Sequence, residues 1–286
     1  MKIIKYFFEF IILFFLFFIF KIIGRNLSNS FGSKIGLVLG PFFRSNKIIE
    51  YNLKKCFTEF SNEEIAKTTR LMWSYYGKIL SDYVFLNSIR KNKSKYVIKV
   101  EGKHILSDIK NSSEPVIFIS GHFNNFELMA MYIESSDIEL AAVYRPLNNF
   151  FLNPIMENLR KNNICKNQIK KGLKGVKELL KFFKNGCSIA LMIDQRVSEG
   201  KKIKFFGLEA FTTTVPAQFV KKYNCKVIPV FIERNNENKF MLKFFEPMAF
   251  KKSDNIEDIT LKLNNELEKM IKIKPEQWIW SHNRWK

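Results

Sequence analysis

Val116-Ile117-Phe118-Ile119-Ser120-Gly121-His122-Phe123-Asn124-Asn125-Phe126-Glu127-Leu128-Met129-Ala130-Met131 reads as a buried strand, a polar turn and the start of a helix. The first four residues are apolar with a β-branched bias, and the run from Glu127 has helix-forming composition. His122 therefore stands on a strand-to-helix turn, the unit from which α/β sheets are built. Outward from this stretch the same texture repeats from Tyr96 onward. Short apolar runs at 96–100, 115–119, 138–143, 188–193, 226–232 and 239–245 predict strands. Between and after them, helical patterns are expected at 103–110, 125–134, 149–161, 172–184, 214–223 and 256–272. The expected fold is α/β, with a mixed, largely parallel central sheet flanked by helices and an N-terminal hydrophobic helix as membrane anchor. Residues 1–25 are read as the anchor and 26–286 as a single domain, since no repeat, low-complexity linker or second boundary occurs.

In an open α/β sheet, ligands gather at the carboxyl ends of the strands. Three polar clusters fall there: Ser120-Gly121-His122, Tyr144-Arg145-Pro146 and Asp194-Gln195-Arg196. A histidine accepts a proton near neutral pH, and a carboxylate such as Glu127 would orient its ring and stabilise the imidazolium. The plain alternative is a satisfied structural histidine; the fixed acid, the turn position and the surrounding Gly and Asn weigh against it. No G-x-S-x-G elbow occurs, so the expected nucleophile is a substrate hydroxyl attacking an acyl thioester. Backbone N–H groups near Asn125, or the Asn124 side chain, are candidate donors to the oxyanion. Arg145 offers a fork for phosphate or carboxylate, whereas Arg196 beside Asp194 could equally be a salt bridge. Around Phe205 to Thr214 the reading is an apolar turn feeding a helix, with Thr212 or Thr213 as its cap.

Ile3 to Ile23 is one hydrophobic segment, charged only at Lys5, Glu9 and Lys21, and a helix of about 20 such residues spans a bilayer core. Ile22-Ile23-Gly24-Arg25-Asn26-Leu27 lacks a small-residue cleavage pattern, which favours a retained anchor over a signal peptide. Asn26 to Pro41 is rich in Gly and Ser, and Ser61 with Glu64 fits a capping box opening a helix through Leu86. Cys56, Cys165, Cys187 and Cys225 lie far apart with no C-x-x-C pair, which fits a reducing compartment and argues against zinc or a disulfide framework. Lys+Arg 47 against Asp+Glu 27 leaves a net charge of +20, suited to an anionic partner, although an AT-rich codon bias also produces Lys, Asn, Ile and Phe. The segment Trp278-Ile279-Trp280-Ser281-His282-Asn283-Arg284-Trp285 suits packing or a membrane interface, and no nucleic-acid reading module accompanies it.

Five runs in order resemble the late acyltransferases of lipid A biosynthesis, within the wider lysophospholipid acyltransferase superfamily. They are Gly121 to Glu127, Val143-Tyr144-Arg145-Pro146, Met192-Ile193-Asp194-Gln195-Arg196, Phe205-Phe206-Gly207 and Pro275 to Trp285, together with the N-terminal segment. The resemblance implies an inner-membrane enzyme facing the cytoplasm that moves an acyl chain from acyl carrier protein to a hydroxyl of a lipid A precursor. The family's His-x4-acid motif falls on His122 and Glu127, which become the expected catalytic pair. Arg145, Asn124, Asn125, Asp194, Gln195 and Arg196 are expected to bind substrate. Where relatives often have Gly-Asn-Trp, this chain has Asn124-Asn125-Phe126, and asparagine tolerates left-handed backbone better than most residues. The implied partners are acyl carrier protein, an anionic glycolipid acceptor and membrane phospholipids, with no nucleic acid, no metal and no dissociable cofactor. An acyl-thioester hydrolase, or transfer to another lysolipid or glycolipid, is the alternative.

Overall fold

The computed structural model describes residues 2–286. Helix α1 (Lys2–Phe43) is two arms joined at Gly24, whose φ of 78° and ψ of 166° suit a residue without Cβ. The first arm is apolar on all sides, with residues such as Ile12 and Phe15 exposed, and it is long and apolar enough to cross a membrane. The second arm is helix where the Gly and Ser content had suggested irregular chain. Ser28, Gly32, Gly36 and Gly40 recur every fourth residue and are all buried. The three glycines lie against α3 (Asn62–Asp82), so closely that a Cβ at Gly77 would lie 1.8 Å from the Gly32 carbonyl oxygen. Small residues at that spacing form a seam along which two backbones touch. Between them, α2 (Asn46–Cys56) is capped by Ser45, and α3 opens with the expected Ser61–Glu64 capping box.

A 3-10 turn (Tyr83–Phe85), α4 (Leu86–Lys91) and α5 (Lys93–Tyr96) lead into β1 (Val97–Glu101), α6 (Lys103–Ser112) and β2 (Ile117–Ser120). Next come α7 (Glu127–Glu134), β3 (Leu140–Tyr144), α8 (Asn153–Asn163), β4 (Asn167–Lys170), α9 (Leu173–Lys184) and β5 (Ser188–Met192). The chain continues through β6 (Lys201–Phe205), β7 (Leu208–Thr212), α10 (Val215–Tyr223), β8 (Val227–Arg234), β9 (Phe240–Phe244) and α11 (Ile256–Ile273) to a 3-10 turn (Pro275–Gln277). Seven strands form one sheet in the order β1-β9-β8-β2-β5-β3-β4. The five from β8 to β4 are parallel, while β9 runs antiparallel to β8 and parallel to β1. The sheet is therefore mixed and largely parallel. Strand β2 is central and covered on both faces, which is why it is apolar throughout rather than alternating.

Two strand regions depart from the expectation. Strand β4 is a short polar edge, and residues 201–212 form a separate antiparallel hairpin where a turn feeding a helix was expected. Thr212 belongs to β7, and its hydroxyl donates to the Ala210 carbonyl. Thr213 Oγ1 accepts the Val215 N–H at 3.4 Å, ahead of α10.

Candidate active site

Strands β2 and β5 are neighbours in parallel register, with Ser120 opposite Met192. His122 and Asp194 each lie two residues beyond that pair, so the sheet brings together side chains 72 positions apart. His122 Nδ1 is 2.8 Å from Asp194 Oδ1, and the His122 backbone N–H donates to Oδ2 at 2.8 Å. The Trp278 indole Nε1–H also donates to Oδ2, at 2.9 Å. A carboxylate only accepts, so Nδ1 carries a proton, and in the neutral ring the lone pair is on Nε2. The His122 side chain is 20% exposed, Phe126 packs edge-on against the ring, and Nε2 faces the Gln195 amide nitrogen at 3.5 Å. Full burial would push the Asp194 carboxyl up, but the His122 charge, the His122 N–H donors and the Trp278 donor hold it below the usual carboxylate range.

The expected pairing of His122 with Glu127 is not made. The turn Phe123–Phe126 separates them, and Glu127 opens α7, where Oε1 accepts from Tyr83 Oη at 2.9 Å and from Arg160 Nε at 2.8 Å. Burial and Glu127 push the Tyr83 phenol well above its ordinary value, leaving it a donor. Burial works against the Arg160 charge, but Glu127 and Tyr83 outweigh it and hold the guanidinium protonated.

Asn124 and Asn125, expected to meet substrate, are 1% and 2% exposed and belong to the support of the turn. Asn124 does take left-handed backbone, φ 39°. Its amide bridges Gln277 Oε1 (2.9 Å) and Arg234 Nε (2.9 Å), and Asn125 Nδ2 donates to Asp82 Oδ2 at 3.1 Å. Arg234 and Asp82 are both fully buried and ion-paired, and Asp82 also holds Arg25 at 3.3 Å. Arg234 further donates to Asn29 Oδ1 of α1 at 2.8 Å. One buried network thus joins both ends of the chain to the turn that carries His122. The turn's N–H groups are spent as well: Phe123 on Gly121 O, Asn124 on Gln277 O, Asn125 on Asn124 Oδ1 and Phe126 on Asn124 O. Those expected oxyanion donors are therefore not free. The Gln195 amide has no hydrogen-bond partner but the His122 ring among the described residues.

Asp194, expected to bind substrate, is instead enclosed by His122 and Trp278. Arg196 makes no ion pair with it; its Nε donates to Lys286 O at 3.1 Å and its guanidinium lies over Phe211. Arg145 is exposed just beyond β3 and has no ion pair among the described residues. The tail, expected to pack or to meet a membrane interface, reaches the site three times: through Gln277 on the turn, Trp278 on Asp194, and His282 Nε2, which accepts the Arg196 N–H at 2.9 Å. Burial pulls the His282 pKa from 6.5 down to about 4. The unfolded chain then binds more protons between those values, so this residue's contribution to stability is complete above pH 6.5 and is lost as pH falls toward 4. His282→Gln, which keeps an acceptor for Arg196, should flatten the drop in thermal midpoint over that window; an unchanged drop would assign it to other groups.

An imidazole with its Nδ1–H held by a buried carboxylate and its Nε2 facing the Gln195 amide can take a proton from a hydroxyl. Among the described residues no group of three or more His, Cys, Asp or Glu is placed to hold a metal ion.

A family model described as "Bacterial lipid A biosynthesis acyltransferase" matches residues 1–286. The chain is 24% identical over 248 residues to the lipid A biosynthesis lauroyltransferase of Escherichia coli (strain K12), covering 85% of this chain and 79% of that one. It is 23% identical to the palmitoleoyltransferase of the same strain, covering 89% and 83%. The corresponding myristoyltransferase is 21% identical, with 85% and 75% covered. Among solved structures, the 1-acyl-sn-glycerophosphate acyltransferase of Thermotoga maritima aligns over 86% of this chain and 98% of its own, with 12% identity and a TM-score of 0.38.

Proposed function

Because this chain belongs to the bacterial lipid A biosynthesis acyltransferase family, and is therefore an acyltransferase, we propose that His122 is its general base and that the acyl chain passes directly from a carrier-protein thioester to a hydroxyl of a lipid A precursor. The observation that carries this reading is the 2.8 Å bond from His122 Nδ1 to a buried Asp194, with Nε2 turned away from the acid and toward the Gln195 amide at 3.5 Å. The acceptor hydroxyl gives its proton to Nε2 as its oxygen attacks the thioester carbonyl, and Asp194 stabilises the imidazolium. The C–S bond then breaks, and the departing thiolate takes the proton back, restoring the neutral ring. Glu127 acts beside this step by keeping Arg160 and Tyr83 in place at the start of α7. Since the thioester is already activated, neither metal nor dissociable cofactor is called for.

The first arm of α1 anchors the enzyme in the inner membrane, with the domain on the cytoplasmic side where the thioester is made. Arg145 and Arg196 suit the phosphates of the acceptor. The basic excess of the chain suits three anionic partners at once: carrier protein, bilayer phospholipid and phosphorylated glycolipid.

The test supplies the purified full chain with carrier-borne acyl thioester, with and without a lipid A precursor, and follows product by mass spectrometry. Ester formation that requires the acceptor is expected; acyl release at the same rate without it would make the enzyme a hydrolase. Gln195→Ala is expected to lower kcat by roughly 100-fold with KM little changed, the scale of one oxyanion donor. A rise in KM alone would move Gln195 from the oxyanion to ground-state binding.

A further inference from the structure

We propose that Trp278 is a positioning residue for the acyl transfer: its indole N–H, by occupying Asp194 Oδ2, holds the carboxylate in the one orientation that presents Oδ1 to His122. The inference rests on reading His122 as the base and Asp194 as its partner. Asp194 follows β5 and has no neighbour in sequence to fix its side chain. Oδ1 meets His122 Nδ1, and Oδ2 receives the His122 N–H at 2.8 Å and the Trp278 indole at 2.9 Å. Two donors on Oδ2 and one on Oδ1 lock the carboxylate plane, so the ring is aimed rather than merely contacted.

Trp278 is itself held on three sides. Its backbone bridges Phe123 in antiparallel fashion, next to His122. The preceding residue accepts the Asn124 N–H at 2.8 Å. Its ring stands edge-to-face on Trp280, 4.6 Å between centroids, and is 2% exposed. A phenylalanine would fill most of that slot, so packing alone does not call for an indole; the N–H does. The other titratable or charged groups around the pair are His282 and Arg284 of the same tail, Tyr76 of α3, and Arg44 just beyond α1. None of them hydrogen-bonds to Asp194, so the indole is the donor from outside the dyad itself.

Trp278→Phe keeps an aromatic ring and removes that donor. Asp194 then carries more of its negative charge toward the imidazole, which holds its proton to higher pH. In the acceptor-dependent assay the rising limb of kcat/KM against pH is expected to move up by about half a unit or more, with kcat down roughly tenfold and KM for the thioester within about twofold. Trp278→His, which restores an N–H in a smaller ring, is expected to recover part of the shift. A Phe variant with an unmoved limb, whatever its melting temperature, would overturn the proposal. Asp194→Asn separates this from the underlying reading. If that variant keeps wild-type turnover and pH profile, the dyad falls; if it is impaired while Trp278→Phe is not, only the role of Trp278 falls. Should the Phe variant not fold, the wild-type protein still decides. With its four tryptophans 15N-labelled in micelles, one indole resonance is expected to titrate with the midpoint of the kinetic limb, and a set of four that all stay still through that midpoint overturns the assignment.

Discussion

His122→Ala is expected to lower kcat/KM by at least about 100-fold, the lower scale for losing a general base, and Asp194→Asn by on the order of 1,000-fold or more. The second number follows from the tautomer. An asparagine amide turned toward Nδ1 would donate to it, leaving the proton on Nε2, where the acceptor hydroxyl must deliver its own. Both variants should be compared with Glu127→Gln by pH profile as well as rate. Glu127 binds Arg160 and Tyr83 rather than the ring, so its loss is expected to reduce stability and turnover together without moving the rising limb. A limb that moves in Glu127→Gln and stays in Asp194→Asn would mean that the working enzyme pairs His122 with the nearer acid in sequence, and the proposed dyad would be wrong.

The second large effect is thermodynamic. Asp82→Ala is expected to destabilise the protein by about 3–5 kcal/mol, because removing one member of a buried pair leaves an uncompensated charge. Here the charge left behind is Arg234, fully buried, together with Arg25. Burial already disfavours the Arg234 charge and Asp82 counters it, so with the acid gone only the neutral amide oxygens of Asn29 and Asn124 oppose the desolvation. Because Asn125 also loses its acceptor on Asp82, turnover should fall with stability. Denaturant titration of the purified variant measures the first, and a midpoint shift equivalent to less than about 1 kcal/mol would show that water or a neighbour replaces the acid.

Much of this architecture was legible along the chain. Periodicity located six of the seven strands of the main sheet and placed His122 on a strand-to-helix turn, because β-branched runs and 3.6-residue patterns are local signals. What was hidden depends on pairing or on backbone sign. The hairpin turn is Phe206-Gly207 with φ 50° and 71°, and a phenylalanine at a left-handed position masks a turn that Asn-Gly would announce. Strand β4, Asn167-Gln168-Ile169-Lys170, is a polar edge with one fully apolar residue, too little for an alternation to register. The second arm of α1 carries Gly32, Gly36 and Gly40, which weigh against helix until a partner backbone is there to meet them. Polar residues beside a histidine suggest a cleft, which is why Asn124 and Asn125 are expected to face substrate, whereas Asn124 accepts from the buried Arg234 and Asn125 donates to Asp82, the partner of that arginine. Asp194 is singled out by the sequence, but its contact with the His122 ring is not, since strand order is written nowhere in the sequence and only the β2–β5 register places that carboxylate on the ring.

That register has an evolutionary consequence. His122 and Asp194 stand on two adjoining, rigid strand ends, so the loops of the excursion between α7 and β5 can drift in length and composition while that pair stays together. Acceptor and chain-length preference can thus diversify within that excursion, as tenants change in a building whose frame does not.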